Sequence, residues 1–418
     1  MTGSTERWLG MCVLAATRML HGCVQAECSS PSYDEAECRV VAENAMARLA
    51  TAGQIEVRFQ HPSSTDDATW IAGGLLAEVE PGVVSARVAG AGDFAISLRP
   101  PEDGGAQELT LVLSNVDPAA VVTVGRVGEE VEFPADDAGD TVRRLPIDLT
   151  RGDTVWIRGH RPCPDRFRIA VTADIQTNPN QFARIVERLG QEAVDAEAAG
   201  EPLVALLIAG DLAESSRQDE YDALHEILAR LPVPVSVTVG NHDIYRPLRP
   251  EFTRSFGPGN YDFRVCTAKV VMLDSGSGAI ARSVEARLPE MLARDDAEFL
   301  LAAMHHPPHA ALTGAGWSRE DMAQHLLVEL AAADADLVLA GHNHALHDYP
   351  EISIGDRTLR EIVTGTGGAY QGLGVPRFGY TRLVFGEELE PCFVEVPPAG
   401  YVEPQSDGLR TLDYCDEP

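Results

Sequence analysis

Five short clusters of carboxylate, amide and imidazole side chains punctuate the chain: Asp174-Ile175-Gln176, Gly210-Asp211-Leu212, Gly240-Asn241-His242-Asp243, His305-His306-Pro307-Pro308 and Gly341-His342-Asn343-His344. Of twelve histidines, seven fall in the 43 residues from His305 to His347, where even spacing would place about one. Mixed oxygen and nitrogen donors of this kind suit divalent first-row metals. Asp174, Gln176, Asp211, Asn241, His305, His342 and His344 make seven candidate ligands. That is too many for one tetrahedral ion, but it suits two ions sharing a carboxylate, and Asp211 is the natural bridge. Taken singly, each Asp or Asn is as readily a helix cap. Of the adjacent His305 and His306, at most one is expected to be a ligand, with the other contacting substrate or packing. His309 and His347 flank the cluster, and His325 reads as a surface or packing residue on a helix.

Each cluster follows an apolar, strand-like run, at residues 167–172, 203–209, 233–239, 298–304 and 336–340. In α/β sheets, sites collect at the carboxyl ends of strands, so five chain-distant strands can deliver these side chains to one point. Amphipathic stretches over 181–192, 218–230 and 318–333 read as the intervening helices. Residues 55–160 differ: short β-type runs alternate with Gly, Pro and Asp clusters, the pattern of a small all-β, sandwich-like domain. A helix is expected over 33–51. The resulting division is 1–26, an export signal; 27–54, a helical linker; 55–162, the β domain; 163–400, the α/β domain; and 401–418, a polar tail that Cys415 could tie down.

The ordered set Asp174-x-Gln176, Gly210-Asp211, Gly240-Asn241-His242-Asp243, His305 and Gly341-His342-x-His344 resembles the calcineurin-like metallophosphoesterases, whose pattern is D-x-H, G-D, G-N-H-D/E, H and G-H-x-H. The resemblance runs from about residue 167 to 396. It implies a four-layer αββα sandwich and hydrolysis of phosphate mono- or diesters by a hydroxide held between two divalent ions. One ion would take Asp174, Gln176, Asp211 and His344, and the other Asp211, Asn241, His305 and His342. His242 would stabilise transition-state charge or protonate the leaving oxygen, with Asp243 orienting it. Gln176 departs from the usual histidine and should shift its site from Zn towards Mn or Mg; Mn, Fe or Zn are otherwise expected. Glu214 stands where the purple acid phosphatases carry a tyrosine. Arg246, Arg249 and Arg254 follow the third cluster; each taken singly reads as part of a solvated loop, though one of the three could reach substrate. The glycine-rich stretch 363–368 lacks a P-loop lysine and reads as tight turns.

The chain has 418 residues with 33 Lys plus Arg against 64 Asp plus Glu, a net charge of −31. Such acidity disfavours a nucleic-acid polymer as partner, whereas bound cations can still attract a small anionic phosphoester. A short apolar run over 8–17 suits a signal peptide. Val24-Gln25-Ala26 offers ordinary cleavage, and Leu20-His21-Gly22-Cys23 resembles a lipobox that would place a lipid, and so a membrane anchor, on Cys23. Export and extracytoplasmic residence are expected. Without Cys12 and Cys23, six cysteines remain, which suits disulfides of unspecified pairing. The competing reading is a surface-exposed binding protein in which the β domain acts and the phosphoesterase fold is a weak or dead scaffold.

Overall fold

The computed structural model describes residues 32–66, 71–103, 105–133, 141–150, 152–245, 251–309, 316–371, 376–398 and 412–415. The expected signal, the lipobox cysteine, and Arg246 and Arg249 lie outside the described residues. Among the described residues, no helix is long and apolar enough to cross a membrane.

Helix α1 (Ser32–Met46) opens the described chain. The expected helix over 33–51 ends at Met46 because Arg48–Ala50 forms β1, which pairs antiparallel with β2 (Glu56–Gln60). β3 (Gly74–Glu80), β4 (Val83–Val88), β5 (Phe94–Arg99), β6 (Gln107–Ser114), β7 (Val121–Gly125), β8 (Val131–Phe133), β9 (Val142–Leu149) and β10 (Val155–His160) follow. They form a six-stranded sheet, β1-β2-β5-β10-β7-β8, and a four-stranded sheet, β3-β4-β6-β9. Strict alternation of buried and solvent-facing residues along β9 gives the sheet one apolar face. That face meets the other sheet across one core, in which Val57, Ile96, Leu98 and Ile157 pack with Val84, Leu111, Leu113 and Leu145.

The second half alternates strand and helix: β11 (Phe167–Thr172), α2 (Pro179–Ala198), β12 (Leu203–Ile208), α3 (Gln218–Leu228), β13 (Val235–Val237), α4 (Glu251–Phe256), β14 (Tyr261–Val265), β15 (Ala268–Leu273), α5 (Arg282–Glu285), α6 (Leu288–Met291), β16 (Phe299–Met304), α7 (Glu320–Ala332), β17 (Leu337–Ala340), β18 (Leu346–Ile354), β19 (Arg357–Thr364), β20 (Gly379–Phe385) and β21 (Leu389–Glu395). Two mixed sheets result, β13-β12-β11-β20-β21 and β14-β15-β16-β17-β19-β18. Strands β11, β12, β15, β16 and β17 are buried along nearly their whole length, as parallel strands covered on both faces must be. Three cores separate four layers. Val171, Leu207, Leu301 and Leu339 lie between the sheets. Phe182, Ile185 and Tyr221 place α2 and α3 on one outer face, and Val284, Leu326 and Leu330 place α5 and α7 on the other.

Helix α1 is fastened to this second half rather than acting as a free linker. Arg39 Nη2 donates to Asp274 Oδ1 (3.1 Å), and Gly259 N donates to the buried Glu43 Oε1 (2.8 Å). The β sheets are fastened too. Asn115 takes Val235 N on Oδ1 (2.7 Å) and gives Nδ2 to Val235 O (2.9 Å), copying a strand partner along the open edge of β13. Arg87 donates to Phe256 O (2.8 Å) and Val235 O (3.2 Å). Cys392 and Cys415 form a disulfide that ties 412–415 to β21, and Cys38 is disulfide-bonded as well.

Candidate metal centre

At four of the expected ligands the backbone turns left-handed: φ is 62° at Asp174, 57° at Asp211, 69° at His342 and 44° at His344. Non-glycine residues rarely hold this conformation, and it costs energy that surrounding contacts must offset. Each turn follows a buried strand and aims the side chain beyond the sheet end. The first two loops are stitched together, with Asp174 N donating to Gly210 O (3.1 Å), and Ile175 N and Gln176 N both donating to Asp211 O (2.9 and 3.2 Å). Glycine is needed where the loops close on the carboxylates. A Cβ at Gly240 would stand 2.1 Å from Asp211 Oδ1, and one at Gly365 would stand 2.6 Å from Asp174 Oδ2. The glycines of 363–368 therefore do more than turn the chain, since they admit Asp174.

The side chains converge. His305 donates from Nδ1 to Ala209 O (3.0 Å), which leaves Nε2 facing Asn241 Oδ1 at 2.9 Å and Asp211 Oδ2 at 3.3 Å. His342 Nδ1 lies 3.0 Å from the same Asn241 oxygen and 3.3 Å from His305 Nε2. On the other side of Asp211, His344 donates from Nδ1 to Tyr370 O (2.7 Å), which turns Nε2 to within 3.6 Å of Asp174 Oδ1 and 3.2 Å of Gln176 Nε2. A half-turn of the Gln176 amide would present Oε1 to the same space. Asp174 Oδ2, Asp211 Oδ2 and Gln176 Oε1 are buried and accept no hydrogen bond. Buried carboxylate oxygens are costly without a partner, and a cation between them removes the deficit. The donor set therefore fits divalent metal. Asp174, Asp211 and His344 offer ligand atoms all within 4.8 Å of one another, and so do His305, His306 and His342.

Without metal, burial pushes the Asp174 carboxyl up to about 6, against the opposing charge of His305. Burial also disfavours ionised Asp211, but the charge of His305 beside it outweighs that and holds Asp211 well below the usual range. Burial lowers His305 too, yet Asp211 and Asp174 raise it to about 9. Burial and the charge of His305 push His342 down to about 4, so it offers a neutral nitrogen, as a ligand must.

His242 sits at the open side of Asp211. Its backbone N donates to Asp211 Oδ1 (2.9 Å), its Nδ1 donates to Glu214 O (3.0 Å), and Tyr245 OH donates to its Nε2 (3.1 Å). Ser216 locks the turn by donating to His242 O (2.6 Å) and accepting from Tyr245 N (2.9 Å). The expectation that Asp243 orients His242 is corrected. The Asp243 carboxylate turns inward and accepts from Leu212 N, Ala213 N, Gly240 N and Tyr221 OH, so the tautomer of His242 is set by Glu214 O instead.

His306 was underweighted by sequence. It donates from Nδ1 to Ser275 O (2.6 Å), its ring centroid lies 4.3 Å from that of His342, and Trp317 packs beyond it. The doubled histidine was the visible signal. Glu214 and Tyr245 each lie two positions beyond the end of a cluster, and only the turns that follow reveal their contact with His242. His309 and His347 both pack on Tyr349 (5.2 and 4.2 Å between centroids). His325 pairs on the surface with Glu285 and Glu329, and Arg254 lies on the exposed face of α4.

Residues 167–346 match the family described as calcineurin-like phosphoesterase. The matched stretch starts with β11 and ends two residues beyond His344, at the first residue of β18. Two relatives are each described as a probable cyclic nucleotide phosphodiesterase. One, from Fibrobacter succinogenes, is 29% identical over 107 residues, covering 25% of this chain and 41% of the relative. The other, from Vesicomyosocius okutanii, is 27% identical over 106 residues, covering 24% and 45%. The chain thus spans less than half the length of these curated relatives. Among solved structures, a purple acid phosphatase from yellow lupin seeds is similar over 73% of this chain and 70% of its own, with 13% identity and a TM-score of 0.48.

Proposed function

We propose that the chain is a metal-dependent phosphoesterase whose phosphoesterase domain hydrolyses small phosphate esters. The observation that carries this is the buried, unpartnered oxygen set of Asp174, Gln176 and Asp211, facing the imidazoles of His305, His342 and His344. Asp174, Gln176, Asp211 and His344 would hold one divalent ion, and Asp211, Asn241, His305 and His342 the other. When bound, the ions supply Lewis acidity and lower the pKa of water towards neutrality. The chain's own residues do the remainder. His242, held by Glu214 O and open on its Nε2 side except for Tyr245 OH, is placed to protonate the leaving oxygen. Asp243 keeps the Asp211 loop in its strained turn. An amide oxygen at Gln176 favours Mn or Mg at the first site and Mn, Fe or Zn at the second. The naming of the relatives supports phosphodiesters as the first substrates to try.

We further propose that the two amino-terminal sheets are an accessory domain and that the protein is exported, held at a membrane through lipid on Cys23. The disulfides at Cys38 and Cys392–Cys415 support an oxidising location. The scaffold reading draws on Gln176 alone, and an inactive scaffold has no reason to keep the orphaned oxygens.

The experiment is to strip the protein with chelator, restore Mn²⁺, Mg²⁺, Zn²⁺ or Fe²⁺ in turn, and assay bis(p-nitrophenyl) phosphate beside p-nitrophenyl phosphate. Metal-restored turnover that Asp211→Ala abolishes is expected. No turnover and no bound metal would leave the scaffold reading.

A further inference from the structure

Two thiols from separate parts of the fold meet away from the metal centre. Cys163 is exposed and Cys266 is buried, and neither is bonded to another sulfur. Cys163 stands between Pro162 and Pro164 in the connection from β10 to β11, where the fixed φ of the prolines stiffens the chain. Cys266 opens the two-residue turn between β14 and β15, with Val265 paired to Ala268 across it.

Backbone contacts bring the two segments together. Asp93 N donates to Arg264 O (2.8 Å), so closely that a Cβ at Gly92 would stand 1.8 Å from that oxygen. The Asp93 carboxylate in turn accepts from Arg161 N. At the end of this bridge Cys266 donates its S–H to Cys163 Sγ, and Cys163 donates to Arg161 O (3.3 Å). The turn is a costly one for cysteine. Its φ at Cys266 is 53°, and hairpin turns with a left-handed first residue favour glycine there. Cysteine carries strain that glycine would avoid, and its thiol is the group that this strain sets against Cys163.

A thiolate metal site would need further ligands. Among the described residues, the groups of three or more His, Cys, Asp or Glu side chains close enough to share an ion all lie at the metal centre. The pair is also unequal. The bond from Cys266 lowers the Cys163 thiol from its ordinary value, with help from the charges of Arg161 and Arg264 and against burial and Asp93. The same bond, then burial, raises Cys266. The exposed thiol is therefore the one that ionises, and the thiolate is the nucleophile.

We propose that Cys163 and Cys266 are an oxidisable pair that closes into a disulfide, bracing the connection between the two halves of the chain against the β14–β15 turn. The oxidant is a small-molecule or protein disulfide. The Cys163 thiolate attacks one of its sulfurs, breaking that S–S bond and expelling a first thiol. Cys266, deprotonated, then attacks Cys163 Sγ and expels the second. Both cysteines are oxidised, the donor is reduced to two thiols, and the two cysteine protons end on them.

The test uses the purified full chain, incubated with oxidised glutathione, blocked with iodoacetamide in denaturant and digested with trypsin without reduction. Arg161 precedes proline and is spared, so Cys163 falls in peptide 159–166 and Cys266 in 265–269. The two peptides should leave as one linked species that dithiothreitol separates. Cys266→Ser should instead stop at a glutathione adduct on Cys163, and Cys163→Ser should leave Cys266 a thiol. Glutathione on wild-type Cys163 with Cys266 alkylated, or both peptides recovered alkylated, would overturn the pairing. Oxidation should also raise the urea midpoint of the wild type and leave that of Cys163→Ser unmoved. Linked peptides with an unchanged midpoint would overturn the bracing.

Discussion

The carboxylate of Asp243 lies against the backbone of Leu212, with both oxygens 3.2 Å from its N–H. It therefore holds the loop that carries Asp211, although it is adjacent in sequence to His242. Asp243→Ala should weaken metal binding by about 10- to 100-fold, the usual cost of losing a group that supports a ligand. Raising metal concentration should restore turnover, and the pH profile of kcat should keep its shape. Metal titration of apo-protein followed by activity checks this; a lasting loss of kcat at saturating metal would mean that Asp243 acts on the reaction directly.

Removing the proton donor should depend on the leaving group. His242→Ala should lower kcat by about 10² to 10⁴ for alkyl esters, the span of general acid catalysis. The loss should be much smaller for p-nitrophenyl esters, whose leaving group departs without protonation. Steady-state rates on the two series, at saturating Mn²⁺, make the comparison.

Gly240 brings the backbone up against the carboxylate of Asp211. A methyl group there would stand 2.1 Å from Asp211 Oδ1. Gly240→Ala should therefore displace Asp211 and strip metal, while strands β11 to β13 persist. Elemental analysis alongside circular dichroism should show lost metal with near-native secondary structure.

Glu43 predicts a pH effect remote from the metal ligands. It is buried beside Asp274, and burial first, then the charge of Asp274, raises its carboxyl from 4.5 to about 7, against hydrogen bonds from Gly259 and Asn260 and the charge of Arg39. The folded protein thus holds this proton more tightly than the unfolded chain. This contribution is complete below about pH 4.5 and is lost as pH rises towards 7, on the order of 3 kcal/mol at most. Glu43→Gln should remove that slope from a plot of unfolding free energy against pH.

The disulfide Cys392–Cys415 closes a loop with a sequence separation of 23. Cys392→Ser should lower stability by about 3 kcal/mol on the loop-entropy account, and release 412–415 from the edge of β21. Denaturant titration with and without reductant checks both.

Much of the α/β half was legible because its strands end in side chains that have no reason to sit together except chemistry. The run at 167–172 is β11 residue for residue, and the other four differ from their strands only at the ends. The convergence of Asp174, Asp211, Asn241, His305, His342 and His344 follows from the same strand ends. The supporting contacts were not legible. The resemblance implied that Asp243 orients His242, but in the 3-10 turn over His242–Ile244 the Asp243 carboxylate accepts from Leu212, Ala213 and Gly240 while His242 meets Glu214 O. Adjacency left only one of His305 and His306 as an expected ligand. Both lie past the end of β16, and both rings reach the ring of His342. Strand β1 was hidden because three residues carry too little pattern to outweigh the helical spacing before them.

Asn115 and Arg87 grip the edge strand whose far end leads to Asn241 and His242. The boundary near residue 163, plain in the sequence, is therefore not a place where the molecule can be cut. A fragment beginning there would present β13 as a bare edge, ready to pair with another copy, and would leave the strand that carries the third cluster unbraced. The amino-terminal sheets and the strand leading to Asn241 and His242 therefore share one seam, and a side chain changed on one side of it has to be matched on the other.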